Sequence, residues 1–407
     1  MDPITHGITG ALLGKGLFSK RDPQQRQLTQ VAIFSATLGG VFPDVDVLAD
    51  AFSNDPMAIV RFHRNITHSF VCLPVWAVAL AWLTRRTARW LGFESPSWPM
   101  LTLIYAVGIA SHIFLDGMTS FGTRIWAPLH EERVAWDLLF IIDFTFTALV
   151  LLPQFVAWVY SRNDKWLGRA IGMWAVCSLG AVAAWWMARS AGYSFHFWIV
   201  IAVSAVMAAL FFLPGAEAWG FRFTRAGWCQ AGILVMLLYL FACASAHHAA
   251  IRRVEDFAAS NHIQIMRIAA IPVPPSLLEW GGEIRTPDGV YQAHFDLRKS
   301  AAPSFTFFAD SPPDQYVSRA MQLRDVKLYW EFARFPVIRT LAATGQHIVE
   351  FSEHRFVNRV TNNPPPFTFR VVFDDAGNMV ADGWYSNGLQ VRSMRQFVRS
   401  RARKKSP

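Results

Sequence analysis

Six stretches of this chain approach or reach the length of about 20 apolar residues that a bilayer core demands of a helix. They lie at roughly 69–84, 99–118, 136–160, 167–188, 196–214 and 228–246. Inside lipid the backbone has no water to bond, so each such stretch must satisfy its amides internally, as a helix. Two shorter apolar stretches, 4–18 and 28–43, carry Gly7, Gly10, Gly14, Gly39 and Gly40. They read as a helical hairpin packed closely through its glycines, or as buried helices that do not span. Composition agrees: 16% of the 407 residues are charged, against roughly 25% in soluble domains. The 17 Trp and 33 Phe suit interfacial aromatic belts.

The pattern changes at His247. Beyond Pro272, Pro274 and Pro275, short runs such as GVYQAHFDL, VKLYWEFA, HIVEFSEHRF, FTFRVVFD and MVADGWYS read as strands, separated by turn signals like Pro287-Asp288-Gly289. The expected fold is therefore an α-helical polytopic membrane protein with a C-terminal β-rich soluble domain. Its parts are a membrane-embedded region at 1–135, a further helical region at 136–246, and a β-rich extramembrane domain at 247–407 that ends in the basic tail RSMRQFVRSRARKKSP.

The net charge of +9 fits basic loops against anionic headgroups; no motif supports nucleic-acid binding. Cys72, Cys177, Cys229 and Cys243 form no CxxC pair, so neither a disulfide framework nor a thiolate metal site is expected. No basic n-region leads the first apolar stretch, so a signal peptide is not expected.

Chemistry concentrates in the first 116 residues. All four histidines there, His6, His63, His68 and His112, lie beside the carboxylates Asp44, Asp46 and Asp116 or beside helix ends. His112 and Asp116 stand four apart, which puts them on one helix face with Cβ atoms roughly 5–6 Å apart. Asp44 and Asp46 repel each other unless a cation lies between them or one is protonated. Each piece alone has a plain structural reading: a His–Asp hydrogen bond, an Asp turn beside Pro43, a buried neutral His. Topology brings them to one membrane face, because His68 precedes the first strong span, His112 and Asp116 close the second, and a hairpin returns His6 and Asp44/Asp46 to the same side. An imidazole-carboxylate set without thiolate suits zinc, with manganese or iron(II) as alternatives, and has donors enough for two ions. Arg64 is placed to grip an anionic substrate, or else is an interfacial arginine.

These segments resemble the bacterial membrane-bound metal-dependent hydrolases of the YdjM-like group associated with LexA regulation. The resemblance rests on Thr5-His6-Gly7, Pro43-Asp44-Val45-Asp46, His63-Arg64 with Thr67-His68-Ser69, and Ser111-His112 to Asp116-Gly117 followed by Thr119. It implies a metal-dependent hydrolase of the inner membrane. The His-x-x-x-Asp element is also similar to that of zinc-dependent phospholipase C, but no His-x-x-x-Glu follows here, so a three-metal site is not expected. The combined expectation is a hydrolase of a lipid-like or amphiphilic phosphoester, with metal held by His6, Asp44, Asp46, His63, His68, His112 and Asp116, and with Arg64 and Asp116 acting on the reaction. The alternative is a transporter or non-enzymatic membrane protein that moves protons or metal ions through the cluster. Arg85, Arg86, Arg89, Arg162 and Lys165 weight the opposite loops, so the positive-inside rule puts the site and the β-rich domain outside the cytoplasm.

Overall fold

Apolar helices and two antiparallel sheets divide the chain between them. The computed structural model describes residues 1–391 except 20, 21, 54, 191–195, 275, 344, 357–364, 366, 387 and 388; the basic tail lies outside the described residues. The membrane part runs α1 (Pro3–Leu17), α2 (Arg26–Val41), α3 (Val47–Phe52), α4 (Ala58–Phe62), α5 (Leu73–Trp90), α6 (Trp98–Gly117), α7 (Phe144–Val159), α8 (Trp166–Ser190), α9 (Trp198–Ala216) and α10 (Arg225–Ser260). Then come β1 (Arg267–Val273), β2 (Glu279–Thr286), β3 (Gly289–Asp296), β4 (Thr306–Ala309), α11 (Gln315–Ala320), α12 (Arg324–Phe332), β5 (Pro336–Ala343), β6 (Gln346–Glu353), β7 (Thr368–Asp374), β8 (Met379–Ser386) and β9 (Leu389–Val391).

Among the described residues, five helical stretches are long and apolar enough to cross a membrane: Arg26–Ala49, Trp98–Gly117, Trp166–Met187, Trp198–Ala216 and Arg225–Ser260. Ala58–His68 and Leu73–Trp90 would make a sixth as one span broken by a 76° bend, and α7 is a shorter apolar helix. The bend lies between His68 and Leu73, and His63 and His68 come before it, off the regular α-helix.

The expected glycine hairpin is there. A Cβ on Gly10 would lie 2.5 Å from the Ala36 carbonyl oxygen, and one on Gly40 would lie 2.7 Å from the His6 carbonyl oxygen. The missing side chains let α1 and α2 touch backbone to backbone, which sets His6 beside the end of α2.

Three local readings change. The stretch expected as a span from 136 begins its helix only at Phe144, because the Asp143 carboxylate caps it, accepting from the amides of Thr145 and Phe146 at 2.9 and 3.1 Å. Asp137 therefore lies in the preceding loop and not inside a helix. The last span does not stop near Ala246 but continues as α10 to Ser260, with Ala250, Val254 and Ala258 packed under Trp280 and Ile284 of the first sheet. VKLYWEFA is helical, not a strand: Val326, Tyr329 and Phe332 recur every three residues on one buried face.

The sheets have simple meander order, β1-β2-β3-β4 and β5-β6-β7-β8-β9, all antiparallel. Their facing residues Ala269, Ile271, Val290, Phe335 and Val337 share one cluster.

Candidate metal centre

Four short pieces of chain deliver the site. Asp2 caps α1 and takes the Thr5 amide at 2.9 Å, which starts the helix one turn before His6. Pro43 lies in a 3-10 turn, Phe42–Asp46, that ends α2 and presents Asp44 and Asp46. His63 leaves α4 in extended conformation, Arg64 has a left-handed backbone (φ 60°), and His68 closes a 3-10 turn over Ile66–His68. His112 and Asp116 face inward from the last turns of α6.

The convergence expected from sequence is observed. His68 Nε2 and His112 Nε2 lie 3.0 Å apart. Asp44 Oδ1 is 3.6 Å from each of them, and Asp116 Oδ2 is 3.3 Å from His68 Nε2 and 3.5 Å from His112 Nε2. Bonds of about 2.0–2.1 Å to a tetrahedral zinc imply ligand–ligand edges of about 3.3–3.4 Å. These five separations bracket that value, so the donor set fits such an ion. Asp44, Asp46 and His63 form a second possible group, which shares Asp44 with the first.

The surrounding bonds set the tautomers. His112 Nδ1 donates to the Gly40 carbonyl at 2.7 Å, which leaves the Nε2 lone pair for the centre. His68 Nδ1 lies 3.1 Å from Asp46 Oδ2 and 3.0 Å from Thr67 Oγ1. Asp46 is itself heavily used: Oδ2 also accepts from the Arg64 amide at 2.9 Å and from Thr67 Oγ1 at 3.0 Å, while Oδ1 meets His63 Nδ1 at 2.9 Å. Asp44 Oδ2, by contrast, is buried with no hydrogen-bonding partner. Of the two carboxylates, Asp44 has capacity to spare for a cation, whereas Asp46 is committed to orienting two histidines.

His6 belongs to neither group. Its Nε2 is 3.1 Å from Asp116 Oδ1, and its ring stacks on that of His112 at 3.6 Å between centroids. Asp116 Oδ1 also meets the Met1 amino group. Arg64 is buried, with Nε 2.9 Å from Asp116 Oδ2 and Nη1 donating to Thr119 Oγ1 at 2.8 Å. The guanidinium thus neutralises a site carboxylate. Arg64, His68, His112 and Asp116 are shut from solvent, while Asp44, Asp46 and His63 are partly exposed, so the cluster opens along their edge. Exposed apolar residues neighbour these three in sequence: Val45, Val47, Leu48, Phe62 and Ile66.

Sequence reasoning did not find Gly40, whose carbonyl orients His112, or Phe121, against which the His63 and Arg64 side chains rest. A carbonyl leaves no residue-type signal, and a phenylalanine among 33 does not stand out.

Residues 1–191 match the family described as YdjM inner membrane protein. In Bacillus subtilis (strain 168), the uncharacterized protein YfhP is 24% identical over 146 residues, which cover 35% of this chain and 42% of YfhP. The chain thus matches less than half the length of that relative. No solved structure matches.

Proposed function

We propose that this multi-pass inner-membrane protein, of the YdjM family over its first 191 residues, is a metal-dependent hydrolase of lipid-like or otherwise amphiphilic phosphoesters. The observation that carries the reading is the donor geometry: two histidine Nε2 atoms and two carboxylates face one point, each histidine locked by a further acceptor on its Nδ1. Asp44, His68, His112 and Asp116 would hold one divalent ion, zinc by donor type, with manganese or iron(II) as alternatives; a second ion at Asp44, Asp46 and His63 would have to displace the Asp46–His63 hydrogen bond. When bound, such an ion supplies a Lewis acid and a water acidified to near neutrality.

The chain's own residues prepare the rest. Asp46 and the Gly40 carbonyl hold His68 and His112 in the tautomer that points Nε2 inward. Arg64 holds Asp116 and places a positive charge next to where an anionic phosphate would sit. His6 packs on His112 and fixes its ring plane. The open edge between Asp44, Asp46 and His63, with exposed apolar residues next to them in the chain, favours a substrate whose chains stay in the bilayer while its headgroup reaches the carboxylates.

The test is hydrolysis of phospholipid-like esters by the purified protein in liposomes. Cleavage should stop on chelation and return with added zinc or manganese; a broad lipid-phosphoester screen without chelator-sensitive product would sink the substrate class. The positive-inside count supports an extracytoplasmic site. A reporter fused after Pro407 should then be active only outside the cytoplasm, and cytoplasmic activity would reverse the orientation.

A further inference from the structure

The core of the β-rich domain includes residues from the membrane part. Met57 and Val60, on the segment that delivers His63 and Arg64, and Phe121, on the chain leaving Asp116, are buried in one cluster with Tyr329, Phe332, Phe351 and Phe369. Phe121 is the junction. Its ring centroid lies 5.6 Å from that of His63 on one side and 5.2 Å from that of Phe332 on the other, and the Arg64 guanidinium lies 4.9 Å from it.

Polar ties run beside this contact. Arg355, buried, donates Nη1 to the Ser120 carbonyl at 2.8 Å and Nη2 to the Phe332 carbonyl at 2.9 Å, and pairs with Glu353 at 3.1 Å. Arg334 forks onto Asp137 at 2.9 and 2.8 Å. Trp384 Nε1 donates to the Pro56 carbonyl. The two irregular stretches that border the site, about 56–68 and 117–137, are therefore both fastened by the C-terminal domain. His112 and Asp116 ride on a long helix with its own hydrogen-bond ladder. His63 and Arg64 do not: one is extended, the other left-handed. Segments with few regular backbone bonds depend on tertiary contacts for their order.

We propose that the β-rich domain is a built-in positioning module for the metal centre, acting through Phe121 and Arg355 on the segment that carries His63, Arg64 and His68. The inference rests on the metal-site reading for its ligand, though not for its contacts. Loosening the groups that orient metal ligands typically costs 10–100-fold in affinity, and Arg355 acts one step further out, through Ser120 and Phe121.

The test uses the full-length protein in detergent as wild type, Arg355→Ala, Arg355→Lys and Ile284→Ala. Ile284 is buried on β2 in the separate cluster that packs the first sheet on α10, and serves as the control for a weakened domain. Two quantities are read: zinc affinity by chelator competition, and backbone hydrogen exchange across 56–68. Arg355→Ala should lose about tenfold in affinity and exchange faster over 56–68. Arg355→Lys should fall between it and wild type, and carries the test if the alanine variant does not fold. Ile284→Ala should lower the unfolding temperature yet stay within about twofold of wild-type affinity. Wild-type affinity and exchange in both Arg355 variants would overturn the proposal, as would an equal loss in Ile284→Ala. If wild type binds no zinc while Arg355→Ala still loosens 56–68, the metal-site reading fails and the mechanical coupling stands.

Discussion

Asp44→Asn is expected to lower lipid-phosphoester turnover by about 100-fold or more, beyond what losing an outer partner of a ligand costs, while leaving expression and membrane insertion near wild type. Asp44 is the carboxylate shared by both candidate groups, and its Oδ2 is buried with no partner. An amide keeps the shape but removes the charge that balances a cation. Asp46→Asn should have a smaller effect, about 10–100-fold on metal affinity, because Asp46 works through His63, His68, Thr67 and the Arg64 amide. The amide oxygen can still accept, but its NH2 cannot take the proton of a second imidazole. Were the pair only a turn cap, Asn would serve nearly as well in both positions, and both variants would match wild type in the liposome assay.

Asp116→Ala is expected to cost stability as well as metal. Its carboxylate is buried and answers Arg64 Nε at 2.9 Å and His6 Nε2 at 3.1 Å. Removing one partner of a buried pair strands the other charge, at a cost of about 3–5 kcal/mol. Thermal unfolding in detergent should therefore shift strongly down for Asp116→Ala. The double variant Asp116→Ala/Arg64→Met, which removes both charges, should recover part of the loss. An unchanged midpoint in Asp116→Ala would show that the pair does not carry the packing argued for it.

What the sequence revealed divides along physical lines. The membrane helices were legible because hydrophobic length is a one-dimensional property, and the hairpin because its glycines leave a spacing. The site was legible because costly residues in an apolar setting are few: four histidines, placed beside carboxylates at helix ends, converge on one face once the helices are counted. The division of labour inside the site was not legible. Asp44 and Asp46 are equivalent in the string Pro43-Asp44-Val45-Asp46, and only the bonds to His63, His68, Thr67 and Arg64 separate them. His6, expected among the metal-holding residues, stacks on the His112 ring and faces Asp116 Oδ1. Arg64, expected to grip an anionic substrate or else to be an interfacial arginine, is buried with its Nε 2.9 Å from Asp116 Oδ2, a pairing that its place in the sequence does not reveal. Errors in the β-rich half came from short runs: VKLYWEFA has both β-branched and aromatic residues, and its period of three shows only against the core it buries. The contact between the two halves, through Phe121 and Arg355, joins residues more than two hundred positions apart and leaves no local trace.

In the proposed function, His68 and His112, with Asp44 and Asp116, hold a metal ion. Elemental analysis of the purified full-length protein, after equilibration with zinc and removal of loosely bound ions, tests it most directly. About one or two ions per chain are expected for wild type, one for each candidate donor group, and a loss of at least one ion per chain for His68→Ala/His112→Ala, with wild-type helix content by circular dichroism. Wild-type stoichiometry in that double variant would contradict the account.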